Sequence, residues 1–383
     1  MRKRVICFVK FSRFSGTNAH VEEQLRRNFP DAELDVIDLR RFFTFQSASF
    51  LRTLPTITAQ LCVKLLRAPP PADTLRDSAV HHLLRMPAIF DGLSRYAIAR
   101  ILRRRAETVF TIQTMSLWNC AVEGIAHFVY TDSAMLTNLY YRNFPFESLP
   151  SAAWLARERK LYSDACRIFV MSAHVRRSLL DLYGCDERKV KKILVGANLM
   201  SVPTAPKPGG LANKTILFVG VEWKRKGGPE LVEAFRRLPE RHQDARLIIL
   251  GVAPDVRVPR CEIVGPVPAD RVPDYYRQAA IFCMPTHIEP FGIVFVEAML
   301  HGVAVAAPRL GAMQDYIEDR VAGVLFDPDN VDDIASALCY LLDNPRNRQE
   351  IAVRGFHAVH GNYDWDAVGR RLRAEIDPCL PRE

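Results

Sequence analysis

The sequence predicts an α/β protein built from two doubly wound domains in succession. Three observations lead there. Short, continuously apolar runs alternate with longer helical patterns, as expected of strands buried on both faces of a parallel sheet. The alternation pauses once, at residues 199–212, LMSVPTAPKPGGLA, where three prolines and two adjacent glycines make a linker. It then restarts in the same rhythm, and 383 residues suffice for two domains.

In the first half, VICFV (5–9), LDVIDL (34–39), VFTIQT (109–114), HFVYT (127–131) and RIFVM (167–171) are strand-length runs of β-branched and aromatic residues. VEEQLRRNF (21–29), WLARERKLYSDA (154–165) and AHVRRSLLDLYG (173–184) carry helical spacing. In the second half the strands are TILFVG (215–220), RLIILG (246–251), EIVGPV (262–267), IFCMPT (281–286) and VAVAAP (303–308). The helices are PELVEAFRRL (229–238), RVPDYYRQA (271–279), FGIVFVEAMLHG (291–302) and VDDIASALCYLLD (331–343). Ligands of such sheets bind beyond the strand C-termini, so the cleft between the two domains is the expected site. Residues 41–107 break the rhythm. They run from RRFFTFQSASFL to RYAIARILRRRAE and are helical in pattern, rich in arginine and dotted with exposed-looking aromatics. A membrane-surface helix is one reading. The other, expected for most of the segment, is a helical insertion packed on the first domain, its basic edge free to face lipid.

Composition is that of an ordinary globular protein, 49% hydrophobic and 25% charged. The net charge of +9 is unevenly placed. Residues 1–200 hold 30 basic and 18 acidic side chains, a net +12; the remainder hold 22 and 25, a net −3. The first half is therefore suited to something anionic: a membrane surface, a phosphorylated substrate or a nucleic acid. A solvated basic face is the plain alternative. Nine irregularly spaced cysteines without a C-x-x-C argue against a zinc site or a disulfide framework, and free thiols in a reducing cytoplasm are expected. The basic N-terminus, MRKRVICFVKF, turns apolar, but Lys10 and Arg13 cut the run short of a signal-peptide core. No apolar stretch reaches the about 18 residues that a bilayer span needs.

The chemistry concentrates in IEPFGIVFVE, residues 288–297. The strand IFCMPT ends, and His287, Ile288 and Glu289 leave it. Pro290 suits the first turn of a helix, and Gly292 allows close approach to the backbone. Glu289 then stands at the mouth of a helix whose N–H groups and positive dipole end suit a phosphate or diphosphate. Glu297 follows over a turn later. Two carboxylates are acceptors for vicinal sugar hydroxyls on either side of that diphosphate. Taken alone, the spacing also fits a dipole-favouring carboxylate and one helix-face glutamate. The start of the second domain adds weight: ILFVGVEWKRKGGPELVEAF (216–235) puts three cations and two glycines between a strand end and a helix start. Arg225 and Lys226 are placed there to neutralise a diphosphate leaving group.

Together these segments resemble the retaining glycosyltransferases of family 4. The likeness rests on a glutamate-x7-glutamate motif at Glu289 and Glu297 within EPFGIVFVEAMLHGVAVAAPRLGAMQD, on FVG…RKGG…EAF before it, and on AGVLFDPDNVDDIASAL and GNYDWDAV after it. It covers about residues 214–370, and more loosely YTDSAMLTNLYYRNFP and RIFVMSAHVRRSLLDLYG of the first domain. The resemblance implies the GT-B fold, two Rossmann-like domains facing a central cleft. Residues 1–200 would be the acceptor domain, 213–360 the nucleotide-sugar donor domain, and 361–383 a C-terminal helix packing back on the first. It implies that Glu289 contacts the donor hexose and Glu297 the ribose. Lys226, with Arg225 and the N–H groups of Phe291, Gly292 and Ile293, would hold the diphosphate. Gly16, in RFSGTNAHV, matches the glycine loop that closes on the phosphates. The chain departs from the pattern twice. Val221 stands where the family often has Arg, and Asp132, followed by Ser133, where it often has His. Asp132 is taken as the first-domain catalytic group, with a strand-end turn residue as its bland alternative.

The resemblance further implies hexosyl transfer in which the acceptor attacks from the leaving-group side and the diphosphate oxygen takes its proton. The protein then positions and stabilises charge rather than acting as nucleophile. No cofactor beyond the donor is expected, and no metal. Asp327-Pro328-Asp329 follows a short strand and precedes a helix, so Asp327 to Asp333 read as turn and N-cap residues rather than as a metal-binding D-x-D. The ten histidines lack ligand spacing, and His81-His82 reads as a helix surface. A P-loop is excluded, since no G-x4-G-K-[ST] occurs. The expected partners are a nucleotide sugar and a saccharide or lipid-linked acceptor, as in envelope polysaccharide or glycolipid synthesis, at the cytoplasmic face of a membrane. A sugar-nucleotide epimerase of the same fold is the nearest alternative, and the EPFG form and RKG loop argue against it. A basic nucleic-acid or membrane module is another, but it leaves Glu289 and Glu297 unexplained; no nucleic-acid partner is expected.

Overall fold

A computed structural model describes residues 4–12, 14, 16–44, 50–58 and 83–381. The first sheet and its helices run β1 (Val5–Lys10), α1 (Thr17–Asn28), β2 (Glu33–Asp38), α2 (Pro87–Leu102), β3 (Thr108–Thr114), β4 (Ala126–Thr131), α3 (Ala152–Asp164), β5 (Arg167–Val170), α4 (Ala173–Asp181) and β6 (Val190–Lys192). The second begins β7 (Thr215–Val219), α5 (Gly228–Arg236), β8 (Arg246–Leu250), β9 (Cys261–Gly265), α6 (Val272–Gln278), β10 (Ile281–Cys283) and α7 (Ile293–Leu300). It continues with β11 (Ala304–Pro308), α8 (Met313–Tyr316), β12 (Val324–Phe326), α9 (Val331–Asp343) and α10 (Pro345–Val359), and α11 (Trp365–Ile376) ends the series.

Both sheets have six parallel strands, ordered β2-β1-β3-β4-β5-β6 and β12-β11-β10-β7-β8-β9. Their central strands are buried on both faces: Val5 to Val9 and Ile216 to Phe218 are at most 1% exposed. This is the two-domain α/β architecture expected from the alternating runs. In each sheet the strand order reverses at one point, between β1 and β3 and between β7 and β10. The loops leaving those strands diverge and open a crevice, which is where doubly wound sheets bind ligands.

The structure adds β6, α8 and α10 to the elements expected from sequence. β6 has three residues, too short for an apolar run to stand out, and α8 is a single turn of four. In the described part of residues 41–107 the chain packs on the first sheet. Parallel neighbours need a crossover connection, and α2 is the crossover from β2 over β1 to β3, with the excess chain inserted ahead of it. Ile89, Leu93, Ala97 and Ile101 of α2 pack with Val5, Cys7 and Val9 of β1. The aromatics that looked exposed are partly or wholly buried. Phe42 is fully covered and stacks edge-on with Phe43 and Phe50 at 5.1 and 5.6 Å. Phe45 and His81-His82 lie outside the described residues.

The chain returns to the first domain at its end. Trp365 stacks on His20 of α1 at 4.9 Å, and Asp366 accepts hydrogen bonds from Gln24 (2.9 Å) and Arg27 (3.0 Å). Among the described residues no cysteine forms a disulfide and no helix is long and apolar enough to cross a membrane.

Candidate functional site

The loops after β7 and β10 are joined into one unit. Gly227 adopts a left-handed φ of 73°, and a Cβ there would lie 1.8 Å from the Pro285 carbonyl oxygen, so only glycine permits this approach. The Arg225 carbonyl accepts from the His287 N–H (3.0 Å) and the Thr286 hydroxyl (3.2 Å). Arg225 in turn donates through Nη1 to the Ile288 carbonyl at 2.6 Å. The two cations expected at a diphosphate are thereby fixed against Glu289. Lys226 Nζ ion-pairs with Glu289 Oε2, and Arg225 Nη1 lies 4.0 Å from the same oxygen while its Nε binds Glu222 (2.9 Å). The carboxylate is 8% exposed.

Helix α7 starts at Ile293, so Pro290 precedes it rather than forming its first turn. The helix is entered through Gly292, whose φ of 81° reverses the chain. The Gly292 N–H donates to Glu289 Oε1 (3.2 Å), so in this state the glutamate occupies one of the three backbone donors expected for the diphosphate. Phe291, next to it, is buried with Tyr316 and Tyr363 around its ring at 5.8 Å.

Glu297 faces the other way along the cleft. Its Oε1 accepts from the Asn198 N–H at 3.2 Å and its Oε2 from the Tyr276 hydroxyl at 3.2 Å. It is 6% exposed, and burial pushes its carboxyl up to about 7, against the pull of those two donors. Asn198 also borders Gly16: a Cβ on that glycine, whose φ is 87°, would lie 3.1 Å from the Asn198 side chain. Gly16 and Glu297 thus meet on opposite sides of one residue at the domain crossing. A cavity of about 690 Å³ opens beside them, lined by Asn198, Lys207, Asp270, Arg277 and His301.

The first domain brings Asp132 to Glu289. Asp132 follows β4, and burial pushes its carboxyl up to about 6; its own backbone N–H opposes this, and the charge of Glu289 adds to the rise. A buried carboxylate holds the loop that follows it. Glu158 of α3 accepts from the Ser116 hydroxyl (2.7 Å), the Met135 N–H (3.1 Å) and the Tyr183 phenol, tying together three connections of the first domain. Val221, which replaces a cation in the resembled pattern, is 71% exposed at the cleft end of β7. The site residues expected from sequence therefore fall at two nodes, Asp132-Glu289-Lys226-Arg225 and Gly16 with Glu297, the second joined by Asn198, which the sequence did not single out.

Several residues of the cleft lie in the quoted segments but had no role assigned from the sequence. Tyr141 sits beside Glu289, and Asp315 of α8 accepts the Ala173 N–H at the start of α4. Arg142 and Asn143 reach across to Asp327 (3.3 Å) and Asp329 (2.8 Å), and Asp329 also takes the His287 imidazole at 3.0 Å. The D-x-D is thus engaged by side chains of both domains. The N-cap of α9 is Asn330, whose side chain accepts from the N–H groups of Asp332 and Asp333. Nothing in LYYRN or GAMQD is periodic or charged enough to mark these residues in advance; proximity across the cleft is what singles them out.

Residues 213–344 match the sequence profile of the family described as Glycosyl transferases group 1. The second domain is a glycosyl transferases group 1 domain. Among curated proteins the chain is similar to a D-inositol 3-phosphate glycosyltransferase of Thermobifida fusca, 27% identical over 255 residues that cover 58% of this chain and 57% of that protein. It is also similar to a phosphatidyl-myo-inositol mannosyltransferase of Mycolicibacterium smegmatis, 30% identical over 210 residues, 51% of this chain and 53% of that one. The chain spans about half the length of the curated relatives it matches. Among solved structures it superposes on sucrose-phosphate synthase from Thermosynechococcus elongatus with a TM-score of 0.71 at 16% identity, covering 98% of this chain and 99% of the other. The Anabaena HepE protein in complex with UDP-glucose gives 0.65 at 16% identity, covering 98% and 100%. The fold that carries the group 1 domain is GT-B.

Proposed function

We propose that the chain transfers a hexose from a nucleotide-diphosphate sugar to an acceptor hydroxyl, with retention and without a metal ion. The observation that carries this reading is the single unit formed by Lys226, Arg225 and Glu289 at the switch point of a group 1 domain. Two cations held in advance at one place stabilise a departing diphosphate with little reorganisation. Glu289 presents a carboxylate to the sugar hydroxyls, and the paired lysine is released to phosphate when donor enters. Glu297, at the far node, accepts from the ribose. Asp132 completes the first-domain wall, where the acceptor hydroxyl approaches the face vacated by the leaving group. The HepE neighbour is described in complex with UDP-glucose, which supports a nucleotide sugar as donor.

The test is a thermal-shift panel of UDP, GDP, ADP and dTDP, followed by assay of the matching nucleotide sugars. A ligand at about 100 times its Kd stabilises by about 2.7 kcal/mol. One nucleotide should shift the melting temperature, and Glu289→Gln should fold normally yet lose transfer. No shift with any of the four would overturn the reading.

A peripheral membrane location fits the +12 first half. Leu51 and Leu102 are 49% and 45% exposed, their chain neighbours Arg52 and Arg103 are exposed, as are Arg41 and Arg105, and the two segments are joined by a hydrogen bond from Arg95 to Thr53. This would bring the enzyme to a lipid-linked or envelope polysaccharide acceptor. Cosedimentation with anionic vesicles that fades with salt is expected; failure to sediment at low salt would exclude it.

A further inference from the structure

We propose that Tyr141 selects the transferred sugar: its phenol donates a hydrogen bond to a hydroxyl of the hexose held at Glu289, an inference that rests on the donor reading above.

Tyr141 is 4% exposed, and its hydroxyl has no hydrogen-bond partner among the described residues. Burying a hydroxyl that bonds to nothing is unfavourable, and a phenylalanine would fill the same space without that penalty. Such a group in a native structure calls for a use, and the surroundings indicate one. The carboxylates of Glu289 and Asp132 both raise the proton affinity of the phenol, after burial, while Arg225 lowers it. The phenol is therefore a donor, placed where the two domains bring their carboxylates together. The Glu289 N–H points toward the oxygen without reaching hydrogen-bond geometry, so no protein group takes the phenol's proton.

The hydroxyl is also held in place. The Tyr141 N–H closes the preceding turn on the Asn138 carbonyl (3.1 Å), and its own carbonyl accepts from Phe144 (3.1 Å). Its ring lies 5.5 Å from that of His174. The next two residues, Arg142 and Asn143, anchor the loop to Asp327 and Asp329 of the second domain. A donor fixed in this way loses little freedom on binding, which favours it as a reader of one hydroxyl position. It borders a cavity of about 360 Å³ together with Arg142, Asn143, His287 and Leu310.

The experiment compares wild type and Tyr141→Phe by binding isotherms with three pairs of probes: UDP and UDP-glucose, GDP and GDP-mannose, ADP and ADP-glucose. The free variant should melt at the wild-type temperature or above it. Its affinity for the bare nucleotide should be unchanged, and its affinity for the nucleotide sugar should fall about 3- to 10-fold, the loss expected of one neutral hydrogen bond. Equal isotherms for variant and wild type would overturn the inference alone. So would an equal loss for nucleotide and nucleotide sugar, or a lower melting temperature of the free variant, since either shows a structural partner for the phenol. A wild-type protein that binds none of the six probes would overturn the donor reading and this inference with it.

Discussion

Replacing Glu297 with glutamine should make the protein more stable and a poorer binder of nucleotides, and the gain in stability should depend on pH. Burial raises this carboxyl from the ordinary 4.5 to about 7 in the folded chain. Below pH 4.5 it is protonated in both states and contributes no difference. Between 4.5 and 7 the unfolded chain has released a proton that the folded chain keeps, so wild-type stability falls as pH rises. Above 7 the full cost of the buried charge is present. At about 1.36 kcal/mol per pKa unit the cost is about 3 kcal/mol at pH 8 and about 1 kcal/mol at pH 5. Glutamine keeps the shape. Its oxygen still accepts the Asn198 N–H, and its amide donates to the Tyr276 oxygen, whose proton turns to the Val294 carbonyl, 3.3 Å away. With an unfolding entropy of about 2.1 cal/mol/K per residue, a cooperative 383-residue unit gains about 4 °C at pH 8 and about 1 °C at pH 5. Nucleotide affinity should fall about 10- to 100-fold, the loss expected of a hydrogen bond to a charged group. Scanning calorimetry at the two pH values, with and without UDP, GDP or ADP, is the assay. A pH-independent gain, a loss of stability at pH 8, or unchanged nucleotide affinity would refute the reasoning.

The remaining predictions concern the other node. Transfer by the wild type should rise with pH and level off above about 6 as Asp132 ionises, and Asp132→Asn should remove that rise along with most of the rate. Lys226→Met should destabilise by about 3–5 kcal/mol, because it strands a buried carboxylate, and adding Glu289→Gln should restore much of the loss; denaturant titration of the two singles and the double shows whether it does. Gly227→Ala should cost on the order of 3 kcal/mol or more and abolish every nucleotide-induced shift, since its Cβ would drive the two loops apart at Pro285.

Much of the fold could be read directly. Ten strands were visible as apolar runs because parallel strands buried on both faces need continuous Val, Ile, Leu and Phe. The three-residue strand β6 was not, because so short a run has no periodicity to distinguish it. The segment before α2 misled for a related reason. Phe42 and Phe43 look exposed when read locally, and only the crossover over β1 shows what covers them.

The residue types needed for the proposed chemistry, two carboxylates around a glycine-opened helix and a cation pair after a strand, were determined by sequence alone. They are local, since turn, helix start and strand end follow from neighbours a few positions apart. The tertiary structure decided which of them meet. Lys226 closes on Glu289 from 63 positions away in the chain, while Glu297, eight positions beyond Glu289, turns to Asn198 instead. It also brought Tyr141, which no spacing marked, within the influence of two carboxylates that belong to different domains. Contacts of this kind depend on the order of strands in two sheets and on how their crevices face each other, and no local pattern encodes that.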